Sequence, residues 1–266
     1  MIDIIKSHFL YKGKVKIDEC KGIAYGKEYK FYQKDGKTLI SSSKAAGVID
    51  KSDILMFWAS KLTKQFLYAY LYGCEVNQFT REELLPIIDE AVTQYKSEKE
   101  KAATSGTRVH DFAEQFVKSK LGLCDMPEIP EDDEKVIAGI NAFLDWYNQD
   151  KKEFIFAEQI LYSLKDDFAG RADAGVEIGG KKYLVDYKTG SNIYSEALLQ
   201  IASYFKAYTE EFSEESLDGV LILHFNKDTG DFKTKVLSKE QVNFLYPYFV
   251  NCLQLRKGES EIKKLL

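Results

Sequence analysis

The segment Ile178-Gly179-Gly180-Lys181 constrains this chain more than any other, because it is a two-glycine turn between two runs that both read as β-strands. Glycine accepts the positive φ angles that primed hairpin turns require, so Phe168 to Ile178 and Lys182 to Lys188 are expected to pair antiparallel. If the turn is tight, counting back from Ile178 opposite Lys181 puts Asp173 opposite Asp186, with side chains about 5 Å apart on one face. A longer turn, or a bulge at Gly175, shifts that register. Strand alternation also puts Leu184, Asp186 and Lys188 on one face and Tyr183, Val185 and Tyr187 on the other.

Two carboxylates that close repel by about 3 kcal/mol at an effective dielectric constant of about 20. Either one is protonated or a cation lies between them. Hard oxygen donors beside a lysine are what magnesium or manganese and a phosphate require, with Lys188 orienting a water or neutralising transition-state charge. The plainer alternative is a surface Asp-Lys pair on an ordinary hairpin.

Around this hairpin the chain reads as mixed. Alternating residues and turn signals at Tyr25-Gly26 and Lys34-Asp35-Gly36-Lys37 suggest short hairpin strands from Lys14 to Leu39. Asp53 to Tyr72 has helical three-and-four spacing, stops at Gly73 and reads as a packed core helix. The capping box Thr80-Arg81-Glu82-Glu83 opens a helical region that breaks at Pro86 and runs towards Ala103; Ser105-Gly106 then punctuates the chain before a helix over Thr107 to Lys120. Asp125 to Glu134 reads as a solvated acidic loop leading into a helix with Ile140, Phe143, Leu144 and Tyr147. Strands follow at Phe154 to Tyr162, Phe168 to Ile178 and Lys182 to Lys188, then a helix over Glu196 to Tyr208 and strands at Gly219 to Phe225 and Phe232 to Leu237. Ser238-Lys239-Glu240-Gln241 is a second capping box, starting a helix that Pro247 is expected to kink. The expected class is α/β or α+β: a central mixed sheet flanked by helices, with a mainly helical amino-terminal lobe. The division is placed between an accessory region, 1–104, and a core, 105–266.

Net charge is −5, with 37 Lys and Arg against 42 Asp and Glu, so a nucleic-acid partner needs a local basic groove rather than a global cationic field. No apolar run approaches a membrane span, and residues 1–16 lack a signal-peptide pattern, which leads to the expectation of a cytoplasmic protein without a membrane partner. Cys20, Cys74, Cys124 and Cys252 include no C-x-x-C pair and read as reduced thiols.

Gly170-Arg171-Ala172-Asp173 followed by Asp186-Tyr187-Lys188-Thr189-Gly190 resembles the central motifs of the PD-(D/E)XK nuclease superfamily, in its RecB-type and phage-exonuclease branch. Gly106-Thr107-Arg108-Val109-His110 resembles that branch's upstream G-x-x-x-H element, and Gln200-Ile201-Ala202-Ser203-Tyr204 its downstream Q-x-x-x-Y element. More weakly, Leu39 to Lys44, Val48 to Lys51 and Phe57-Trp58-Ala59 are similar to segments preceding the histidine in phage and mitochondrial exonuclease relatives. Ala172 stands where the superfamily name has proline.

The resemblance implies a restriction-endonuclease-like core and a deoxyribonuclease, an exonuclease before an endonuclease, serving DNA recombination, repair or replication. It implies one or two magnesium or manganese ions, held by His110, Asp173, Asp186, the Tyr187 carbonyl and an additional acid at Glu158, with Lys188 as the catalytic lysine and Gln200 and Tyr204 supporting both the lysine and the DNA. Arg108 and Arg171 are candidates to contact phosphate, or to be spent on ion pairs; Glu114 either orients His110 or is an exposed helix charge. The plainer alternatives, which the motif series outweighs, are a satisfied histidine at His110, a packing residue at Tyr204 and a strand-edge acid at Glu158. The partner expected is single-stranded or end-containing duplex DNA, with a recombinase or single-strand-binding protein beside it. An iron-sulfur cluster is not expected, since only Cys252 lies in the carboxy-terminal region where some relatives carry three cysteines. The rivals are a non-catalytic DNA-binding module on the same fold, a structure-specific endonuclease, and an interaction protein with a coincidental hairpin.

Overall fold

The computed structural model describes residues 2–24, 27–73, 79–212 and 217–265; the turn signal Tyr25-Gly26 and Cys74 lie outside them. Two compact units make up the chain, one of Met1–Ile49 with Val109–Leu266 and one of Asp50–Arg108.

The first unit is built on a nine-stranded mixed sheet. Strands β1 (Asp3–Leu10), β2 (Val15–Ala24), β3 (Lys27–Lys34) and β4 (Lys37–Ser41) pair antiparallel in sequence order. Asp35 and Gly36 both have positive φ, 49° and 72°, so this dipeptide supplies the β3–β4 turn read from the sequence. β4 then pairs in parallel with β6 (Phe168–Ile178) through Ile40 with Phe168 and Ser41 with Ala169. β5 (Lys152–Ser163) and β7 (Lys181–Lys188) both pair antiparallel with β6; β8 (Gly219–Phe225) lies parallel to β7, and β9 (Phe232–Ser238) antiparallel to β8.

Alternation along these strands sends successive side chains into two cores, and helices cover both. Leu184, Val220 and Ile222 pack with α5 (Ser195–Glu211), α6 (Lys239–Lys263) and the short α1 (Ser42–Ala46). Val185, Tyr187, Leu221, Leu223 and Phe225 pack with α4 (Glu134–Gln149) and with the carboxy-terminal part of α3 (Arg81–Lys120). Asp133 caps α4, accepting from the amides of Lys135 and Val136, which gives one charge of the acidic loop a structural task. Ser238 and Gln241 complete the capping box of α6, and that helix continues through Pro247.

The division of the chain differs from that expected. Residues 1–49 belong with the core rather than with an accessory region ending at 104, because β4 adds to β6 and joins the whole amino-terminal ribbon to the main sheet. The helical part is therefore an insertion, Asp50–Arg108, and not an amino-terminal lobe.

Two local expectations also fail. α3 is one helix from Arg81 to Lys120, running through Pro86 and through Ser105-Gly106. Pro86 lies near the amino end, where its missing donor removes a single intrahelical bond, and the capping box at Thr80 and Glu83 holds the first turn. α2 (Ser52–Tyr72) has no buried residue and is not a core helix. Its half-buried stripe, which includes Trp58, Leu62, Thr63 and Phe66, is the side that Thr63 ties to the Ala91 carbonyl of α3 at 3.2 Å. Among the described residues, packing on one side half-buries one stripe and leaves the rest wet. No helix of the described residues is long and apolar enough to cross a membrane.

Candidate functional site

The Gly179-Gly180 turn, with φ of 58° and 77°, closes tightly and pairs Ile178 with Lys181. The register then runs unshifted to Ala174 opposite Val185, so the next position brings Asp173 to Asp186. At that point the ladder gives way to a side chain: Asp173 Oδ2 accepts the Tyr187 amide at 2.6 Å. On the other side of β6, Ala157 pairs with Ala174 and Gln159 with Ala172, which puts Glu158 across from Asp173. Glu158, Asp173 and Asp186 therefore form a row across β5, β6 and β7.

Glu158 has φ of 50°, a left-handed conformation that is rare for a non-glycine residue inside a strand. Such strain persists where the surroundings over-determine it, and here an ion pair holds the carboxylate, 2.7 Å from Arg171 Nη1. Arg171 also lies 3.8 Å from Glu19, a buried acid on β2. Of the two fates read for this guanidinium, phosphate contact or ion pairing, it is the second that engages it here, between two carboxylates.

Burial dominates the electrostatics of the row. Asp186 is 2% exposed, and desolvation, reinforced by the charge of Asp173, pushes its carboxyl up to about 6 against the opposing pull of Lys188. Asp173 is raised by the same burial, with Lys188 and the Tyr187 amide pulling it back. Glu158 is pushed up to about 7, by desolvation first and then by Glu114 and Asp173, with Arg171 opposing. Glu114 itself pairs with Lys118 one turn on and is half-buried rather than exposed.

Lys188 is the local counter-charge. Its Nζ lies 2.6 Å from Asp186 Oδ2, an ion pair out of line for a directed hydrogen bond, which leaves that buried oxygen without one. Burial works against the ammonium, but Asp186 and Asp173 outweigh it and raise its pKa. Nζ donates to Gln200 Oε1 at 3.2 Å, and Gln200 Nε2 donates to the Tyr204 hydroxyl at 2.7 Å. One turn of α5 separates Gln200 from Tyr204, so a single helix face fixes the lysine.

Gly170 makes room for this arrangement. A Cβ there would sit 2.3 Å from Tyr204 Cε1 and 2.8 Å from Ser42 Oγ.

His110 lies near the amino end of the part of α3 that belongs to the sheet unit. Its ring meets Tyr187 edge-on, with centroids 5.9 Å apart, and burial, followed by the charge of Lys188, lowers its pKa to about 4. The imidazole is neutral at physiological pH, the form that ligates metals. Tyr187 turns its ring towards Phe143 and Phe225, away from the face that carries Asp186 and Lys188. Arg108 is half-buried on α3 and belongs to the helical unit.

One buried carboxylate, Asp186, and two half-buried ones, Asp173 and Glu158, served by Lys188 and Arg171, with one carboxylate oxygen that has no directed hydrogen bond and a neutral imidazole nearby, are donors suited to a hard divalent cation. They are not drawn into a closed set: among the described residues, no three His, Cys, Asp or Glu side chains converge tightly enough to hold a metal. Two polar groups escaped the sequence reading. His224, on β8 beside Lys188, donates from Nε2 to the Gly190 carbonyl at 2.6 Å and fixes the loop after the lysine. Glu19 anchors Arg171 from the amino-terminal ribbon. For His224 the signal was available in its rarity among three histidines; for Glu19 nothing local marks it.

No family model matches the chain, and no curated protein does. Among solved structures the chain is similar to one titled "Crystal structure of SSO0001", at 15% identity over 74% of this chain and 84% of that one, with a TM-score of 0.27.

Proposed function

We propose that this chain is a magnesium- or manganese-dependent deoxyribonuclease that hydrolyses phosphodiester bonds by direct attack of water. The observation that carries this reading is the acid row Glu158, Asp173 and Asp186 with Lys188 locked beside it by Gln200 and Tyr204. An ordinary surface Asp-Lys pair does not bury its aspartate, raise its pKa to about 6 or draw a glutamine and a tyrosine into line behind the lysine.

Asp173 and Asp186 would hold the cation, with Glu158, His110 and the Tyr187 carbonyl as further donors. When bound, the ion supplies an acidified water and charge stabilisation at a phosphoryl oxygen. Lys188 presents an ammonium, oriented by Asp186 and Gln200, that can donate to a phosphate oxygen as negative charge builds. Glu158, pushed up to about 7, is able to exchange a proton with water near neutral pH. The resemblance to stand-alone exonucleases makes attack at DNA ends the favoured mode, in recombination, repair or replication.

Digestion of end-labelled single-stranded, duplex and circular DNA with either metal tests the reading. Linear DNA is expected to be degraded and circular DNA spared, with Asp186→Ala folded and inactive. Retained cleavage by Asp186→Ala, or no cleavage of any substrate by the unaltered chain, overturns it.

A further inference from the structure

Helix α2 leaves on its surface side chains that a folded chain ordinarily hides. Phe57 is 75% exposed, Tyr68 53% and Tyr72 89%. With Lys61 and Lys64 they fall at three- and four-residue steps, which places all five on one face, opposite the stripe packed on α3. The order along that face is ring, lysine, lysine, ring, ring, over about 22 Å of helix. Lys64 Nζ stands 5.3 Å from the centre of the Tyr68 ring, so ammonium and π-face are presented side by side. Asp53, in the first turn, is the acid at the amino end of the same face.

We propose that this face of α2 binds single-stranded nucleic acid, stacking bases on Phe57, Tyr68 and Tyr72 and meeting the backbone phosphates with Lys61 and Lys64. Flat rings interleaved with cations are what a strand with exposed bases and regular negative charge requires. The position of the lysines argues against other occupants. A second copy docked in register would bring the two Lys64 ammonium groups together whether the helices ran parallel or antiparallel, and in the parallel case the two Lys61 as well. A membrane surface would take the rings only by burying ammonium groups in the middle of the apolar stripe, whereas surface-seeking helices keep lysines on their polar side. The face is separate from the acid row and needs no cleavage to act.

The test uses the full chain with EDTA, so that binding is read without hydrolysis, and fluorescence anisotropy of labelled oligothymidylate and of duplex DNA. The single strand is expected to bind more tightly than the duplex. Phe57→Ala and Tyr72→Ala should each weaken it about fivefold or more. Lys61→Gln with Lys64→Gln should lower the slope of log affinity against log salt by about 0.7 per lysine. All five positions are exposed, so circular dichroism should not change, and the lysine pair provides a second arm if a ring variant misfolds. Wild-type affinity in these variants, equal binding of duplex, binding to anionic vesicles instead, or dimerisation abolished by Phe57→Ala overturns the proposal. Strand binding without cleavage would leave this inference standing and remove the nuclease reading; cleavage with α2 variants that bind normally would do the reverse.

Discussion

The sheet unit buries charge, whereas the helical unit exposes rings. Asp186 is 2% exposed in a layer packed on both faces, while Tyr72 is 89% exposed on a helix with no buried residue. Each departs from the usual partition in the opposite sense, and each departure is unfavourable for folding or solubility. The sheet unit compensates with partners: Lys188 for Asp186, the Tyr187 amide for Asp173 and Arg171 for Glu158. The helical unit does so only in part: Lys64 stands beside the Tyr68 ring, while Phe57 and Tyr72 face water. The first arrangement is therefore sensitive to substitution and the second indifferent to it.

The largest effect that would break this comparison lies in the acid row. Asp173→Ala should lower DNA cleavage by at least about a hundredfold, read as initial rates with manganese on end-labelled DNA. A variant with nearly full activity would make the row a structural ion-pair network.

Next comes the fit behind Lys188. Gly170→Ala drives a methyl into Tyr204 and Ser42, and should lower unfolding stability by about 1–3 kcal/mol in urea melts. It should also slow cleavage, because Tyr204 holds Gln200 and Gln200 holds the lysine.

Acid titration sharpens the comparison further. The folded chain keeps a proton on Asp186 up to about pH 6 that the unfolded chain releases near its ordinary value of 3.8, so this group makes stability fall as pH rises through that window. Glu158 acts in the same sense from its ordinary 4.5 up to about 7. His110 acts oppositely: it is protonated below about 6.5 when unfolded but only below about 4 when folded, so it makes stability rise with pH between those values. Asp186→Asn removes one falling contribution, and the variant's stability should climb more steeply than that of the unaltered chain between about pH 4 and 6. An unchanged profile would mean that Asp186 ionises normally in the fold.

The smallest effect belongs to the helical unit. Phe57→Ala should change stability by no more than about 0.5 kcal/mol, since it removes no packed contact. A loss of several times that would show the ring to be buried in solution.

Much of the sheet unit was legible in the sequence because both faces of its strands are covered, which leaves unambiguous apolar runs between turn residues. β6 and β8 have the bounds read from the sequence, and the two-glycine turn gave the register that aligns Asp173 with Asp186. The joining of residues 1–49 to this sheet was not legible, because it depends on two residue pairs between β4 and β6 with no periodic trace. The strain at Glu158 was hidden for a related reason: a glutamate in a strand carries no mark of a left-handed φ. α2 shows the opposite failure. Its apolar spacing was plain, but spacing alone does not say how deeply a helix will pack, and among the described residues no side chain of α2 is fully buried.

The central claim is that the acid row and Lys188 form one hydrolytic centre. Its most direct test is the cleavage rate of linear DNA by Lys188→Ala beside the unaltered chain, with and without manganese. Cleavage by the unaltered chain is expected only with metal, at a rate at least about a hundredfold above that of a folded variant. Equal rates in the two proteins, or cleavage that persists in EDTA, would contradict it.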